Sequence, residues 1–306
     1  MMNKITMLFL LICIVLVTYA IFRNTIPDNQ NNHVQKNNPS APDIDMFMGN
    51  WEETKSRRMF GSLEVWDLLT RCYGNPLHPS KKGAVLTDLN SLSYAILEKH
   101  TSTIPSMLNG KQHIFYIVSG KGTIESNEKT ADLHAGVGVI MAPYIEFTMT
   151  NTGNGHLIMY IVEEPIPKGF SPNREMVVKD ERDNPVSTNI NRASVKDWLF
   201  SLNDGLSTLV SMNPVTYVPR SLVPPHVHLE GEEEIWFAID SGIFIQIGTQ
   251  RRKFPVGSAY KVPADGRTPH SNINVTNVPR KLMWMRKVPV RIVPSGKRKE
   301  SMDNVI

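Results

Sequence analysis

An internal repeat is the feature that most constrains the fold, because two halves of the chain carry similar short apolar runs. QHIFYIVSG at 112–120 resembles EEIWFAIDSG at 233–242, and MAPYIEFTMTNTG at 141–153 resembles VPADGRTPHSNINVTN at 262–277. Such a repeat predicts two copies of one architecture. A chain of 306 residues is long enough for two domains with cores of their own.

The local pattern predicts an all-β protein. Beyond Trp51, short runs of β-branched and aromatic residues alternate with turn signals such as YGNP, LNGK, SGKG and NTGNG. Each half is therefore expected to be a barrel of paired strands that hides its edges by closing or by stacking two sheets. One short helix is predicted at 195–201, with Ser194 as its cap and Asp197 completing a capping box.

These patterns predict a division of the chain into six segments. The segments are a signal peptide or membrane anchor at 1–23, a flexible linker at 24–50, a first barrel at 51–167, a connector at 168–205, a second barrel at 206–290 and a basic tail at 291–306. The linker is assigned from its Asn, Gln and Pro content and its lack of apolar periodicity.

The leader consists of Lys4, an apolar run from Ile5 to Phe22, and Arg23. Such a run is long enough to cross a bilayer as a helix, so it is interpreted as a signal peptide or as an uncleaved transmembrane anchor. In both cases the folded part is expected outside the cytoplasm, either periplasmic, secreted or held at the membrane. A tether that leaves the folded part in the cytoplasm is the alternative.

Charge and cysteine content exclude other classes. The formal net charge is +4, and Lys and Arg are scattered along the chain, so nucleic acid is not an expected partner. Of the two cysteines, Cys13 lies in the leader, which leaves Cys72 alone and no disulfide framework.

The second half contains a set of residues suited to binding a metal ion. His226 and His228 are two residues apart, so on an extended strand their side chains point to the same face. Glu234 opens the next apolar strand, and His270 follows a turn that contains Gly and Pro. Three imidazoles and one carboxylate, without thiolates, suit Mn, Fe, Co, Ni or Zn.

At this point the sequence resembles the cupin family. Its first motif, HxH followed by Glu and a strand ending in Gly, matches His226, His228, Glu234 and the turn at 241–242. Its second motif, a Gly and Pro turn followed by His and then Asn, matches the residues Gly257, Pro263, His270 and Asn274. The resemblance covers both halves and implies a bicupin, with two tandem cupin barrels of the double-stranded β-helix or jelly-roll type.

The position of the glutamate departs from the cupin pattern. The family's usual spacing after the second His selects Glu232 or Glu233, whereas counting back from the turn selects Glu234. Pairing register fixes side-chain direction on a strand, while a loop can absorb an extra residue, so Glu234 is preferred. Glu233 is the reserve, because adjacent residues on a strand face opposite sides.

The first half lacks this ligand set. Ser106 and Leu108 fall where HxH is expected, His113 falls where the Glu is expected, and Phe147 aligns with His270. His113 is therefore interpreted as a barrel-lining residue, and the first barrel is expected to hold no ion of this kind.

Other side chains of the second half are candidates for the surroundings of the ion. Four side chains could belong either to the core of the barrel or to a surface that contacts a ligand: Tyr260, Trp236, Trp284 and Met285. Asn272 and Asn274 are candidates for holding the outer ring nitrogens of the histidines. A carboxylate at the mouth could be held by Lys261, Arg267 or Arg286, whereas Glu230, Glu232 and Glu233 would repel it. The charge of the substrate therefore stays open.

The resemblance implies a metalloenzyme, with one divalent Mn, Fe, Ni or Zn ion, that acts on a small oxygen-rich organic molecule. Cupins with this ligand set include oxalate decarboxylases and oxidases, dioxygenases, isomerases and ureidoglycine aminohydrolases, and the fold does not choose among them. A non-catalytic module that binds a sugar or organic acid through the metal is the alternative. A storage protein is disfavoured, since it needs no complete ligand set. A homodimer is also expected.

Overall fold

A computed structural model describes residues 42–127 and 129–288 of the chain. In these described residues, the regular structure consists of β-strands apart from one four-residue helix and short 3-10 turns, so the predicted all-β class is confirmed. The helix α1 covers Ile44–Phe47, and Asp43 caps it by accepting a hydrogen bond from the Asp45 amide.

The strands are numbered in chain order. The first twelve are β1 (Met48–Asn50), β2 (Ser56–Met59), β3 (Leu63–Arg71), β4 (Ala84–Leu86), β5 (Ser91–Leu97), β6 (Ser106–Met107), β7 (Lys111–Ser119), β8 (Lys121–Ser126), β9 (Lys129–His134), β10 (Val137–Met141), β11 (Glu146–Asn151) and β12 (Leu157–Pro165). The other twelve are β13 (Val177–Asp180), β14 (Val186–Asn189), β15 (Ser194–Asp197), β16 (Phe200–Ser201), β17 (Ser211–Tyr217), β18 (Ser221–Leu222), β19 (Glu233–Ala238), β20 (Ile243–Ile247), β21 (Gln250–Phe254), β22 (Ser258–Lys261), β23 (His270–Asn274) and β24 (Arg280–Lys287).

Each half of the chain forms a barrel from one large and one small antiparallel sheet. The first barrel has the order β13-β10-β7-β12-β5-β3-β2, with β4 beside β3, and faces β6-β11-β8-β9. The second has the order β1-β22-β19-β24-β17-β15-β14, with β16 beside β17, and faces β18-β23-β20-β21. The repeated sequences occupy equivalent strands, β7 with β19 and β11 with β23, so the two halves share one topology.

Three of the four outermost strands of the two large sheets, β1, β13 and β14, come from segments that the sequence analysis placed outside the barrels. Strand β1 precedes the first barrel but pairs with β22 of the second, with Met48 opposite Tyr260. Strand β13 follows the first barrel and closes its large sheet by pairing with β10, with Val178 opposite Val139. We refer to the pairing of β1 with β22 as the strand exchange.

The predicted flexible linker is wrong for residues 42–50. These residues form α1 and β1 because Ile44, Phe47 and Met48 are buried against the core. Gly49 is needed there, since a Cβ atom would lie 2.0 Å from the carbonyl oxygen of Leu68. A short apolar segment can therefore be ordered by tertiary contacts even when its surroundings are polar.

The predicted helix at 195–201 is also wrong. Ser194–Asp197 is strand β15, which pairs with β17 so that Val195 lies opposite Thr216. The capping box occurs nearby instead, where Ser201 and Asp204 close a 3-10 turn. Pairing with the edge of the second barrel outweighs the weak local preference for a helix, so the connector is largely built into the barrels.

The two barrels contact each other through the outer faces of β12 and β19. The rings of Tyr160 and Phe237 stack with a centroid distance of 4.0 Å. The Tyr160 hydroxyl donates a hydrogen bond to the Ala238 carbonyl and accepts one from the Gly257 amide, both at 2.8 Å. Since this contact uses the outer face of β19, the opposite face of the strand points into the second barrel.

Some predictions concern other parts of the chain. The leader at 1–23, most of the linker and the basic tail at 291–306 lie outside the described residues. In 42–127 and 129–288, no helix has both the length and the apolar character that crossing a bilayer requires.

Candidate metal centre

Three elements of the second barrel bring the four predicted ligands together. Glu234 lies near the start of β19 and His270 is the first residue of β23. His226 and His228 lie in the loop that leads from β18 to β19, not on a regular strand. The backbone amides and carbonyls of His226 and His270 pair with one another, which fixes the loop against β23.

The donor atoms of these four side chains converge on one point. The Nε2 atom of His270 lies 3.2 Å from the Nε2 atoms of both His226 and His228. The two carboxylate oxygens of Glu234 lie 3.2 Å from His270 Nε2 and 3.3 Å from His228 Nε2. All four donor atoms are within 4.8 Å of one another, and this is the one such group of His, Cys, Asp and Glu side chains in the described residues.

Glu234, not Glu233, faces the histidines. Glu233 points to the opposite side of β19, where it accepts hydrogen bonds from the backbone amides of Thr87 and Asp88 in the first barrel. Its carboxylate also lies 3.3 Å from the Lys261 ammonium. The strand alternation that favours Glu234 in the sequence is therefore present in the structure, and Glu233 belongs to the contact between the barrels.

Each histidine has a partner for its outer ring nitrogen. His228 Nδ1 lies 2.7 Å from a Glu232 carboxylate oxygen, and His226 Nδ1 lies 3.0 Å from the Pro224 carbonyl. These partners are acceptors, so they hold both rings with the proton on Nδ1 and leave the Nε2 lone pairs directed at the common point.

The third ring is held through a tyrosine. The Tyr260 hydroxyl donates to Asn272 Oδ1 at 2.8 Å, so its oxygen can accept from His270 Nδ1 at 3.4 Å. Asn272 therefore acts on the site indirectly. Asn274 does not contact the rings, because its side-chain amide donates to the backbone carbonyls of Tyr217, Val218 and Val278.

Burial favours the neutral forms of His270 and His226. It lowers the pKa of His270 to about 3 and also lowers the pKa of His226. Burial alone would raise the pKa of Glu234, but the neighbouring His270 and His228 and the indole N–H of Trp236 outweigh it and lower the pKa below its ordinary value. The centre therefore presents three lone pairs and a negative charge.

This donor set fits a divalent transition-metal ion. An ion at about 2.1 Å from two nitrogens at a right angle separates them by about 3 Å, close to the observed 3.2 Å. The four donors are three imidazoles and one carboxylate, a set used by Mn, Fe, Ni and Zn. His226 is the partly exposed ligand, so the open side of the centre lies next to it.

The other predicted neighbours divide between two faces of the sheet. Trp236 lies opposite Trp284, and both share the inner face with Glu234. Met285 lies on the other face, opposite Ile235. The prediction that Lys261 could hold a carboxylate at the mouth is wrong. Its ammonium donates a hydrogen bond to the Val85 carbonyl between the barrels.

Arg267 is exposed on the turn before His270, and Arg286 lies on the inner face opposite Glu234.

The prediction that Glu230, Glu232 and Glu233 repel a carboxylate at the mouth is wrong in part. Glu232 pairs with His228, Glu233 faces away, and only Glu230 is exposed. The sequence did not indicate the role of Glu232 as a partner of His228, because it depends on the path of a loop.

In the first barrel, the equivalent positions are lined by apolar side chains. Phe147 lies opposite Ser106 on the neighbouring strand, and its ring packs edge-on against Phe60. His113 is fully buried, packs beside the same Phe60 ring and places Nε2 3.0 Å from a Glu163 carboxylate oxygen. His113 is thus a barrel-lining residue that pairs with a carboxylate.

Comparisons with known proteins identify the fold. No family model matches the sequence, and no curated protein matches it in sequence. Among solved structures, the oxalate decarboxylase of Lactobacillus farciminis in complex with formate has 10% identity and a TM-score of 0.59, over 80% of this chain and 86% of that one.

Two further solved structures show the same likeness. A Bacillus subtilis oxalate decarboxylase, studied for its Mn(II) centres, has 10% identity and a TM-score of 0.58, over 80% of this chain and 78% of that one. Vicilin from hazelnut, Corylus avellana, has 11% identity and a TM-score of 0.60, over 79% of this chain and 85% of that one. At these identities the likeness concerns the fold.

Proposed function

Since the chain has the fold of a bicupin, with two tandem cupin barrels, we propose that it is a metalloenzyme whose single divalent ion is held by His226, His228, Glu234 and His270. One observation carries this proposal. Three imidazole rings are each held by an outer acceptor so that their Nε2 lone pairs converge with a carboxylate. Without a bound cation, three lone pairs and a buried carboxylate would face one another, which is unfavourable.

The substrate is proposed to be a small oxygen-rich molecule, either an organic acid or a sugar-like compound. The bound ion would act as a Lewis acid on a carbonyl or a chelated oxyanion. The protein residues orient the centre: Glu232 and Tyr260 fix two rings, and the buried inner face of β19 keeps bulk water away from Glu234. The partly exposed side at His226 gives the substrate its access.

The structural neighbours support this class of function. One of the solved neighbours is an oxalate decarboxylase bound to formate, and another is an oxalate decarboxylase with Mn(II) centres. Mn, Fe, Ni and Zn all suit the donor set, so the ion's identity is decided by measurement.

Metal content tests the ligand assignment. The full-length protein, purified without chelators and without a His tag, is expected to contain close to one equivalent of Mn, Fe, Ni or Zn. His228→Ala and His270→Ala should lose most of it, because three ligands hold an ion far less tightly than four. The control is His78→Ala, since His78 is exposed in the first barrel. Full occupancy in either ligand variant contradicts the assignment.

Turnover separates an enzyme from a binding module. The metal-loaded protein is incubated with small organic acids, under air with oxygen-uptake recording, and with sugars, and products are identified by mass spectrometry. The metalloenzyme proposal predicts a product that His270→Ala does not form. Saturable binding without any product would instead support the non-catalytic module.

We also propose that the folded part works outside the cytoplasm, on the basis of the apolar run from Ile5 to Phe22. Protease added to intact cells after permeabilisation of any outer membrane should digest the protein, whereas protection until the inner membrane is lysed would contradict this location. The homodimer stays a prediction, which the mass of the purified protein in solution tests.

A further inference from the structure

The inner face of the second barrel carries a cation close to the metal ligands. Glu234 lies opposite Arg286 across the β19–β24 pair, and two residues further along Trp236 lies opposite Trp284. Side chains directly opposite each other in an antiparallel pair point to the same face of the sheet. Arg286 and Trp284 therefore share the face of the metal ligand Glu234.

A second cation reaches this face from the connector. Trp284 lies opposite Asn213 on β17, and Val215, two residues further along β17, lies opposite Lys196 on β15. Lys196 is thus on the inner face as well. Its ammonium nitrogen lies 3.7 Å from the centroid of the Trp198 ring and 5.0 Å from that of Trp284, so the two indoles hold it in place.

Lys196 has no protein carboxylate to neutralise it. Within residues 42–127 and 129–288, its side chain makes no ion pair. Burial, together with repulsion from Arg192 and Arg286, lowers the pKa of Lys196 to about 8. A cation held in this way is costly for the protein unless it has a partner.

Arg286 is also incompletely paired. Its nearest carboxylate oxygen is on Glu232 at 3.9 Å, and the other oxygen of Glu232 is bonded to His228. The Arg286 Nε atom is buried without a hydrogen-bond partner among the described residues.

The charges of this face are unbalanced when an ion is bound. The carboxylates of Glu234 and Glu232 balance one divalent ion, and histidines that bind an ion are neutral. The charges of Lys196 and Arg286 therefore remain, and the exposed Arg192, which repels charge on His226 and His270, adds a third. The inner face that carries Glu234 therefore also carries positive charge and an aromatic wall. A neutral sugar leaves that charge unpaired, whereas a carboxylate pairs with it.

We infer that Lys196 and Arg286 bind the negatively charged group of the substrate, and that this substrate is a small carboxylic acid and not a neutral sugar. The inference rests on the proposed function, since it concerns the same barrel interior. It makes a residue of the segment between the barrels, Lys196, a determinant of specificity.

Calorimetric titration of the full-length protein tests the inference with malonate, acetate, inorganic phosphate and xylose as probes. Malonate is expected to bind the wild type, and Lys196→Met should weaken its binding about ten- to hundredfold, the usual effect of losing one charge-assisted contact. Lys196→Arg keeps the charge and should stay close to wild type. The matched control Lys253→Met removes an exposed lysine elsewhere on the second barrel and should have no effect.

The metal content of every variant is measured beside its affinity, so the two proposals fail separately. Unchanged malonate affinity in Lys196→Met, xylose binding in preference to acids, or no carboxylate binding to the wild type at millimolar concentration overturns the inference and leaves the metal site intact. Phosphate binding in preference to malonate overturns the assignment to a carboxylate. Absence of metal from the wild type contradicts the proposed function, while the comparison of Lys196→Met with Lys253→Met still decides the inference.

Discussion

Glu233 and Glu234 are adjacent in sequence and contribute to different parts of the molecule. Glu234 directs its carboxylate at the histidines, whereas Glu233 accepts two backbone amides of the first barrel and lies beside Lys261. Both are almost completely buried. Strand alternation alone separates a metal ligand from a structural carboxylate.

Substitution of each glutamate by glutamine should separate the two roles. Glu234→Gln removes the charged ligand and is expected to lower metal occupancy strongly with a small effect on the stability of the metal-free protein. Glu233→Gln should keep the metal but lower the free energy of unfolding by about 2–4 kcal/mol, because it leaves the buried Lys261 unpaired. Elemental analysis and urea unfolding measure the two quantities, and the opposite pattern would select Glu233 as the ligand.

The stability of the first barrel depends on pH through the Glu163 carboxyl. Burial would raise its pKa, but hydrogen bonds from His113 and Lys111 lower the pKa from 4.5 to about 2. A lowered carboxyl pKa stabilises the fold above the unfolded value, and this contribution disappears as the pH falls from about 4.5 to about 2. Partial exposure of the pair limits the contribution to about 1–2 kcal/mol.

The glutamine variant tests this contribution. Glu163→Gln should be less stable than wild type by about 1–2 kcal/mol at pH 7, and the difference should shrink below pH 4.5. Urea unfolding at a series of pH values measures it. Glu125→Gln, at an exposed position of β8, is the control. A difference that stays constant down to pH 3 would rule out the ionised pair as its cause.

At the scale of elements, the sequence predicted the strands that carry periodic apolar residues and the turns that carry Gly, Pro or Asn. The four ligands followed from the same signals, since they lie at strand starts or beside turns. The positions of β1, β13 and β15 could not be predicted in this way. They are short strands whose stability comes from pairing with distant partners, which leaves little local signal.

The position of Lys196 in the site could not be predicted from the sequence for the same reason. Sequence analysis placed it in a connector, and only the register of β15 against β17 puts it on the inner face of the second barrel. Lys261 shows the reverse, because a residue next to the aromatic Tyr260 in sequence points away from the centre. Which lysine faces the barrel interior depends on strand pairing over long distances in sequence.

Strand β1 depends on a single glycine for its fit. A Cβ atom at Gly49 would meet the Leu68 carbonyl, so Gly49→Ala should lower the free energy of unfolding by about 1–3 kcal/mol, as overpacking does. Gly155→Ala is the matched control, since nothing lies within 4 Å of a Cβ atom there. Thermal unfolding compares the two variants, and equal stability would mean that β1 is not docked as described.

At the scale of the whole molecule, the barrels are linked by the strand exchange, in which β1 also packs through Gly49 against Leu68 of the first barrel, and by the stacked Tyr160 and Phe237. Glu164 adds a polar link, because its carboxylate accepts hydrogen bonds from the amides of Ser207, Thr208 and Leu209 where the chain enters the second barrel. The second barrel is not complete without β1, which precedes the whole first barrel in sequence.

Unfolding is therefore expected to be one cooperative transition. Tryptophan fluorescence and far-UV circular dichroism should give the same midpoint in urea. Phe147→Ala, in the core of the first barrel, should lower that midpoint at a cost of about 3–5 kcal/mol without producing a second transition. Two separated transitions would show that the barrels unfold independently.

The strand exchange also sets the order in which the molecule can be completed during synthesis. Strand β1 leaves the ribosome before any part of the first barrel, yet its partner β22 is made near the end of the chain. Contacts between residues so distant in sequence form slowly. The first barrel can close once β13 has emerged, while β1 still lacks its partner strand. The metal ligands assemble last, so an ion can be captured only by a chain that is almost complete.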